Sequence, residues 1–200
     1  MSPRGRPRAF DRDHALTEAM YVFWARGYEG ASLADLTTAM GINPPSLYAA
    51  FGGKEALFRE AVGHYCEKYG GFTAAALREP TARVAIEAVL RDNARDYVDP
   101  GHPSGCMVVL AATNCTPANQ GLYTYLAELR RETQESITHR LRQGLEDGDL
   151  PAKTDVDALG RFYATVLFGL SVQARDGATL SELGASIDVA LAAWPGESRK

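Results

Sequence analysis

The side chains best suited to hold a polyanion stand at the start of the chain. Arg4, Arg6 and Arg8 alternate with Gly5 and Pro7, ahead of the first predicted helix. A basic arm of this kind can lie in the minor groove of DNA, where negative potential attracts guanidinium groups. The alternative is a solvated tail without a partner. The pattern predicts one cationic tip on a chain whose net charge is −4.

A second group of polar side chains surrounds a short predicted helix over residues 44–51. Asn43 is predicted to cap this helix. Ser46 and Tyr48 fall on its outer face, where their hydroxyls can donate to phosphates or base edges. Lys54 opens the next predicted helix, so its side chain and the helix N-terminus would both favour a phosphate. These residues predict a surface that binds nucleic acid.

The elements that must position these side chains are helices. Apolar spacing predicts a helix over residues 12–26. Ser32 and Asp35 match a capping box that opens a second helix, which ends at Gly41. Together with the helix over 44–51 they form a helix-turn-helix pattern. The alternative is a tight corner of the kind found in any helical protein.

The remainder of the chain also has helical periodicity and lacks paired strand signals. Gly70, Gly71 and Pro80 mark a seam after the first four helices. Beyond it, further helices are predicted over 82–98, 105–114, 117–146, 155–175 and 180–193. We therefore predict an all-α protein.

The composition is that of an ordinary globular protein, with 46% hydrophobic and 23% charged residues. The net charge excludes a uniformly basic nucleic-acid coat. Three cysteines without CxxC spacing favour reduced thiols over a disulfide framework or a zinc knuckle. The N-terminal residues lack a signal-peptide pattern and no stretch is predicted to span a membrane, so a cytoplasmic location without a membrane partner is expected.

No group of residues points to catalysis. The sequence shows no Ser-His-Asp arrangement, no glycine-rich phosphate loop and no carboxylate pair distinct from ordinary helix surface charge. The histidines and cysteines form no ligand pattern, so neither a metal nor another cofactor is expected. A helical adaptor that binds only protein is a further alternative, and the basic arm argues against it.

Three sequence motifs keep their order and spacing within residues 4–65: F-W-A-R-G-Y-E-G-A-S, T-T-A-M-G-I and S-L-Y-x-x-F-G-G-K-E-A-L-F. With them, about a third of the chain resembles the N-terminal domain of TetR-family transcriptional regulators. A weaker likeness, G-L-S-V-Q-A-R-D-G-A-T near 169–179, resembles the penultimate helix of many such regulators.

This resemblance implies a homodimer that binds a roughly palindromic operator, with half-sites ~34–36 Å apart or a multiple of that distance. It most simply implies a repressor that an unknown small-molecule inducer releases. The expected regions are a basic arm (1–10), a DNA-binding domain (11–69, with the helix-turn-helix at about 32–51), and a helical ligand-binding and dimerisation domain (80–195). By position, the DNA contacts fall on Arg4, Arg6, Arg8, Ser32, Asn43, Pro44, Pro45, Ser46, Tyr48 and Lys54.

One departure from the family pattern concerns the helix predicted to read DNA. Apolar residues stand where polar or charged residues are often found, namely Pro44, Pro45, Ala49 and Ala50. Their side chains cannot hydrogen-bond to base edges. Specificity is therefore expected to rest on thymine methyl groups, on Asn43 and Ser46, and on the arginine arm.

The C-terminal half is expected to receive the signal and to form the dimer. The residues predicted to line a mostly apolar pocket are Asn114, Tyr123, Tyr125, Phe162, Tyr163 and Phe168. The alternative for each of them is plain core or interface. The residues predicted to pair the two subunits are Val166, Leu167, Leu170, Leu183, Ile187 and Leu191.

Cys106 is the candidate for a thiol-based trigger. With Ser104 as a helix N-cap, Cys106 falls in a first turn, where the helix dipole and nearby His102 would lower the pKa of the thiol. The Gly105-Cys106 pair also resembles that of a TetR-family subgroup in which some members sense electrophiles or oxidants through cysteine. The alternative is a small buried hydrophobic residue.

Overall fold

The computed structural model describes residues 10–196, and these residues form helices and connecting turns without a β strand. The helices are α1 (Arg12–Gly30), α2 (Leu33–Ala39), α3 (Pro44–Phe51), α4 (Lys54–Tyr69), α5 (Gly71–Ala76), α6 (Ala82–Tyr97), α7 (Met107–Leu110), α8 (Gln120–Glu146), α9 (Val156–Arg175) and α10 (Leu180–Leu191). A short 3-10 turn, Pro117–Asn119, precedes α8. The predicted all-α fold is confirmed.

Local capping explains why the first two helices begin where they do. The Asp11 carboxylate accepts hydrogen bonds from the backbone N–H groups of Asp13 and His14, at 3.0 and 3.2 Å. Ser32 Oγ accepts from the Asp35 N–H, and the Asp35 carboxylate accepts in return from the Ser32 N–H, both at 3.0 Å. The predicted capping box is thus present, and it satisfies donors that the first turn leaves free.

The N-terminal helices α1–α4 form a unit that we call the head. Its core contains Phe23 and Trp24 from α1, Leu36 from α2, Leu47 from α3 and Phe58 from α4, all of them buried. The rings of Phe23 and Phe58 meet edge to face, with centroids 5.0 Å apart. This core fixes α3 on the outside of the unit, because Leu47 and Phe51 anchor one face of that helix.

The helices α6, α8, α9 and α10 form a second unit, the body. Ile86, Leu90, Ile137, Tyr163 and Leu183 are buried in its core. The two cores are distinct, yet α7 and the first turns of α8 pack into the head core through Met107, Val108, Ala111, Leu122 and Leu126. The body therefore contributes side chains to the head core, and the two units are packed against each other.

The structure differs from the predicted helices at two places. The short helix α5 occupies part of the expected seam between head and body. The predicted helix over 105–114 shrinks to the four residues of α7. Gly105 has φ +76, which is left-handed backbone, and the Ala111 carbonyl accepts from the Tyr28 N–H at 2.7 Å. These two features keep the helix from extending in either direction.

None of the helices within residues 10–196 is both long enough and apolar enough to cross a lipid bilayer.

Candidate nucleic-acid interface and ligand cavity

Helix α3 presents one face of the head to solvent. Asn43, Pro44, Pro45 and Ala49 are exposed, and Ser46 is half-buried. Tyr48 keeps 52% of its surface exposed. An exposed helix that follows a tight turn in a helix-turn-helix unit has the geometry needed to enter the major groove of DNA.

The Tyr48 ring is held beside the turn that follows α3. A Cβ atom placed on Gly53 would lie 3.6 Å from Tyr48 Cε1, so the backbone of the turn is in contact with the ring. Within the described part of the chain, no hydrogen bond occupies the Tyr48 hydroxyl. The ring is thus positioned by packing while its hydroxyl is available to an external acceptor.

The start of α4 offers a second polar feature on the same side of the head. No side chain caps the N-terminus of this helix. The Lys54 ammonium lies 4.3 Å from the centroid of the Tyr28 ring. Burial lowers the pKa of Lys54, and the nearby Glu29 carboxylate opposes that shift. A cation next to free N–H groups of a helix N-terminus suits a phosphate.

Two residues predicted to contact DNA, Ser32 and Asn43, cap the N-termini of helices. Ser32 Oγ donates to the Asp35 carboxylate at 2.6 Å. Asn43 Oδ1 accepts from the Ser46 N–H at 2.8 Å, which leaves the Asn43 Nδ2 donors for another partner. The arm residues Arg4, Arg6 and Arg8 lie outside the described residues.

A cavity of about 350 Å³ lies between α4, α5 and the helices of the body. Its wall is mostly apolar and aromatic, with hydroxyl and thiol groups and the charged side chains of Arg130 and Glu132 among the carbons. It includes Tyr65, Cys66, Tyr69, Asn93, Tyr97, Cys106, Val108, Val109, Leu129, Arg130, Thr133, Leu167 and Phe168. The size and lining are those of a small-molecule site.

Only Cys106 and Phe168 of the predicted pocket residues line this cavity. Asn114, Tyr123 and Phe162 are exposed, and Tyr163 is buried in the body core. Tyr125 lies under the Arg59 guanidinium, 5.1 Å from its ring centroid. The cavity instead draws on residues from α4, α5 and α6, which no local sequence pattern connects with those of α8 and α9.

The environment of Cys106 corrects the expected lowering of its pKa. Cys106, not Ser104, precedes the first residue of α7, and that helix has only four residues. Burial raises the pKa of the Cys106 thiol, although the Tyr65 hydroxyl donates to Sγ at 3.4 Å and opposes the shift. The second cavity thiol, Cys66, has its pKa raised by burial to about 11.

His102 is engaged elsewhere. Its ring stacks on Trp24, with centroids 4.4 Å apart, and His102 Nε2 lies 3.3 Å from Asp96 Oδ1. Both of these side chains are nearly buried. His102 therefore packs the boundary between head and body, with its ring against the head.

Several hydrogen bonds tie the end of α1 to the segment over 104–119, and we call this region the junction. Trp24 Nε1 donates to the Gly105 carbonyl at 2.9 Å. The Glu29 carboxylate accepts from the Thr116 N–H and from Asn119 Nδ2, both at 2.9 Å. At Gly27, which has φ +70, an added Cβ would lie 3.1 Å from the Ala111 carbonyl oxygen.

Arg175, in the last turn of α9, completes the junction. Its Nη2 and Nη1 donate to the carbonyls of Trp24 and Ala25, at 2.7 and 2.9 Å, and its Nε donates to the Ser104 carbonyl at 2.9 Å. The kink at Gly27 leaves those α1 carbonyls without helical partners. One guanidinium thus caps a helix of the head from the body.

The residues predicted to pair two subunits lie mostly inside the chain's own core, which corrects their assignment. Those buried in the body are Leu167, Leu170, Leu183, Ile187 and Leu191. Val166 is half-buried. The apolar side chains that α9 and α10 expose are Phe162, Val172, Leu180 and Val189.

A helix-turn-helix head joined through a hydrogen-bonded junction to a helical body with a cavity is the architecture of a DNA-binding regulator. Comparisons with known protein families agree with this architecture. A family model described as "Bacterial regulatory proteins, tetR family" matches residues 15–61. One described as "Tetracyclin repressor-like, C-terminal domain" matches residues 80–193. The chain belongs to the TetR family of bacterial regulatory proteins, and it is a regulator, not an enzyme.

Relatives are similar along almost the whole chain. The HTH-type transcriptional repressor ComR of Escherichia coli (strain K12) is 34% identical, over 96% of this chain and 92% of the relative. The repressor BdcR of the same organism is 31% identical, over 98% and 92%. A cysteine mutant of the TetR family regulator CifR, solved with 26-bp double-strand operator DNA, is 52% identical with a TM-score of 0.92, covering 95% of this chain and 100% of that one.

Proposed function

We propose that this chain is a transcriptional repressor that binds operator DNA as a homodimer in the cytoplasm and is released by a small molecule held in the body cavity. The observation that carries the proposal is the exposed face of α3. A 52%-identical protein with the same fold was solved with operator DNA. The named repressors among the relatives support repression over activation.

In this proposal each head places α3 in the major groove. Tyr48, on the exposed face of the helix, and the Asn43 amide, at its N-cap, contact the DNA. Lys54 and the free N–H groups at the start of α4 hold a phosphate. The arm with Arg4, Arg6 and Arg8 follows the backbone into the adjacent minor groove.

Tyr48→Ala tests this function directly. Because Tyr48 is half-exposed, the variant should fold and melt like the wild type. Operator affinity should fall on the order of 100-fold, since each of two heads loses a contact worth about 1–3 kcal/mol. The measurement is a mobility-shift titration on DNA flanking the protein's own coding region, at two salt concentrations.

Tyr123→Ala, an exposed tyrosine on α8, is the matched control and should bind like the wild type. The wild-type affinity should fall steeply with added salt, as expected when counterions are released from phosphates. If neither the flanking fragments nor a selection from genomic DNA yields a specific complex, the proposed function is wrong.

The second proposal concerns the dimer. Val189, which is 74% exposed on α10, is one of the apolar side chains that α9 and α10 leave exposed, as are Val172 and Phe162. A carboxylate buried there would have no partner. Val189→Asp should therefore yield a monomer by light scattering and weaken operator binding more than tenfold. Val84→Asp, on α6, should remain dimeric; equal mass for both variants would refute the assignment.

The cavity also limits the chemistry of the inducer. Its neutral polar groups already have partners: Asn93 Nδ2 donates to the Val89 carbonyl and to Thr73 Oγ1, and Thr133 Oγ1 donates to the Leu129 carbonyl. The two charged side chains of the wall, Arg130 and Glu132, have opposite signs, so the wall offers no excess charge to compensate a charged ligand. We therefore propose an uncharged, largely apolar inducer.

In this proposal, the position of the cavity wall explains how a bound ligand causes release of the DNA. Cys106, Val108 and Val109 line the cavity, and the carbonyls at the flanking positions 105 and 111 accept hydrogen bonds from α1. A ligand that displaces this wall also moves α1 and thereby the spacing of the heads. To shift the population from 1:99 to 99:1, the inducer must bind the released form ~10⁴-fold more tightly.

An alternative to a non-covalent inducer is a thiol-reactive compound that modifies Cys106. Because burial raises the pKa of Cys106, its thiolate fraction at neutral pH is smaller than that of a free cysteine. We expect N-ethylmaleimide to alkylate Cys106 slowly at pH 7, faster as pH rises, and to release DNA. The thiolate adds to the maleimide double bond, which then takes up a proton.

The measurement is DNA release by N-ethylmaleimide from wild type and from Cys106→Ser, at matched pH. Cys66→Ser and Cys115→Ser remove the other thiols and serve as controls that should still respond. Release that is unchanged in Cys106→Ser would exclude Cys106 as the trigger and leave the non-covalent inducer.

A further inference from the structure

The exposed face of α3 is mainly apolar. Pro45, Tyr48 and Ala49 stand at helix positions i, i+3 and i+4, so they share one face, and Pro44 adjoins them. No charged side chain occurs between Gly41 and Gly53.

The hydrogen-bonding groups on this helix are few. Asn43 has its Oδ1 occupied by the Ser46 N–H, and Ser46 itself is half-buried. Ala50 is half-buried and packs against the head core. The Tyr48 ring lies beside Gly53. Apart from the Tyr48 hydroxyl, the exposed face therefore has prolyl and alanyl carbons and no donor or acceptor side chain.

Among the groups that line the major groove, the C5 methyl of thymine is the apolar mark that distinguishes one base from the others. We propose that α3 selects its operator chiefly through thymine methyl groups, which pack against Pro44, Pro45 and Ala49. This inference rests on the proposed function, because it assumes that α3 enters the major groove.

The test replaces thymine by uracil, which removes the methyl group and leaves every hydrogen-bonding atom in place. The probe is a duplex that the protein selects from a random-sequence library. Each thymine pair related by the two-fold axis is changed to deoxyuridine in turn, and affinity is measured by fluorescence anisotropy. At one or two positions per half-site the affinity should fall about threefold to fivefold per methyl, on the order of tenfold for both half-sites.

A second arm identifies the protein partner of each methyl. In Pro44→Ser, Pro45→Ser or Ala49→Ser, the loss caused by uracil should shrink to less than about twofold, because the methyl no longer has an apolar neighbour. Tyr123→Phe is the control: it removes the hydroxyl of an exposed tyrosine on α8 and should keep the full uracil effect. Circular dichroism melts confirm that each variant is folded.

Two results would overturn the inference: uracil costs less than about twofold at every position, or its effect is the same in the three serine variants as in the wild type. Either result, with tight and specific binding of the unmodified duplex, leaves the proposed function intact. Failure to select any duplex would instead remove the proposed function and this inference together.

Discussion

Replacing Arg175 by methionine should lower the melting temperature on the order of 10 °C and make operator binding insensitive to ligand. The guanidinium donates to three carbonyls, two on α1 and one at Ser104. Hydrogen bonds from a charged donor contribute about 1.5–3 kcal/mol each, and the abandoned carbonyls lose a partner. A loss of about 3–5 kcal/mol corresponds to the stated shift for a chain of this size.

The insensitivity to ligand has a separate cause. Arg175 joins α9 of the body to α1 of the head, so without it a movement of the cavity wall is no longer passed firmly to the head. The measurement pairs differential scanning calorimetry with a screen for compounds that release DNA from the wild type, repeated on the variant. Arg175→Lys should be intermediate, because one ammonium cannot span all three carbonyls.

Arg142→Met is the matched control. Arg142 forms an exposed ion pair with Asp157 at 3.1 Å, and such pairs contribute little to stability. This variant should melt within a few degrees of the wild type and respond normally to ligand. If Arg175→Met behaves in the same way, the junction has no role in coupling.

Gly105→Ala should destabilise the protein by on the order of 3–5 kcal/mol. An alanine at φ +76 costs about 1–2 kcal/mol in backbone conformation alone. Its Cβ would also lie 2.6 Å from the Ser171 carbonyl oxygen and 3.1 Å from Ser171 Oγ. Relief of that clash would break the hydrogen bond from the Cys106 N–H to Ser171 Oγ, which is 2.8 Å long.

Chemical denaturation of Gly105→Ala beside Gly63→Ala measures this effect. Gly63 lies inside α4, and a Cβ there would meet no atom within 4 Å. Gly63→Ala should therefore stabilise the protein by about 0.5–1 kcal/mol, because alanine has less conformational entropy than glycine in the unfolded chain. Equal stability for the two variants would show that the 104–111 segment can relax without loss.

The head was the more predictable part because its signals are local. Asp11, Ser32 and Asn43 cap helices whose first turns follow them directly, and the structure contains each of these caps. The exposure of Tyr48 followed from the spacing of Leu47 and Phe51. The DNA contacts themselves remain predictions, since exposure is only one condition for binding.

The body was less predictable because its important relations are not local. Apolar periodicity on α9 and α10 marks two faces, and a sequence does not say which one packs inside the chain and which meets a partner. Leu183 and Ile187 belong to the inner face, and Val189 to the outer one. Likewise, burial raises the pKa of Cys106 and the Tyr65 hydroxyl of α4, far away in the sequence, opposes that shift.

The acceptors at the junction have an evolutionary consequence. The carbonyls of Trp24, Ser104, Gly105 and Ala111 are backbone atoms, which every residue type supplies. Substitutions at the cavity positions Cys106, Val108 and Val109 therefore change the shape offered to a small molecule without removing a bond to α1. Under the proposed mechanism, descendants of this chain can acquire new chemical signals one side chain at a time and keep the same backbone connections to α1.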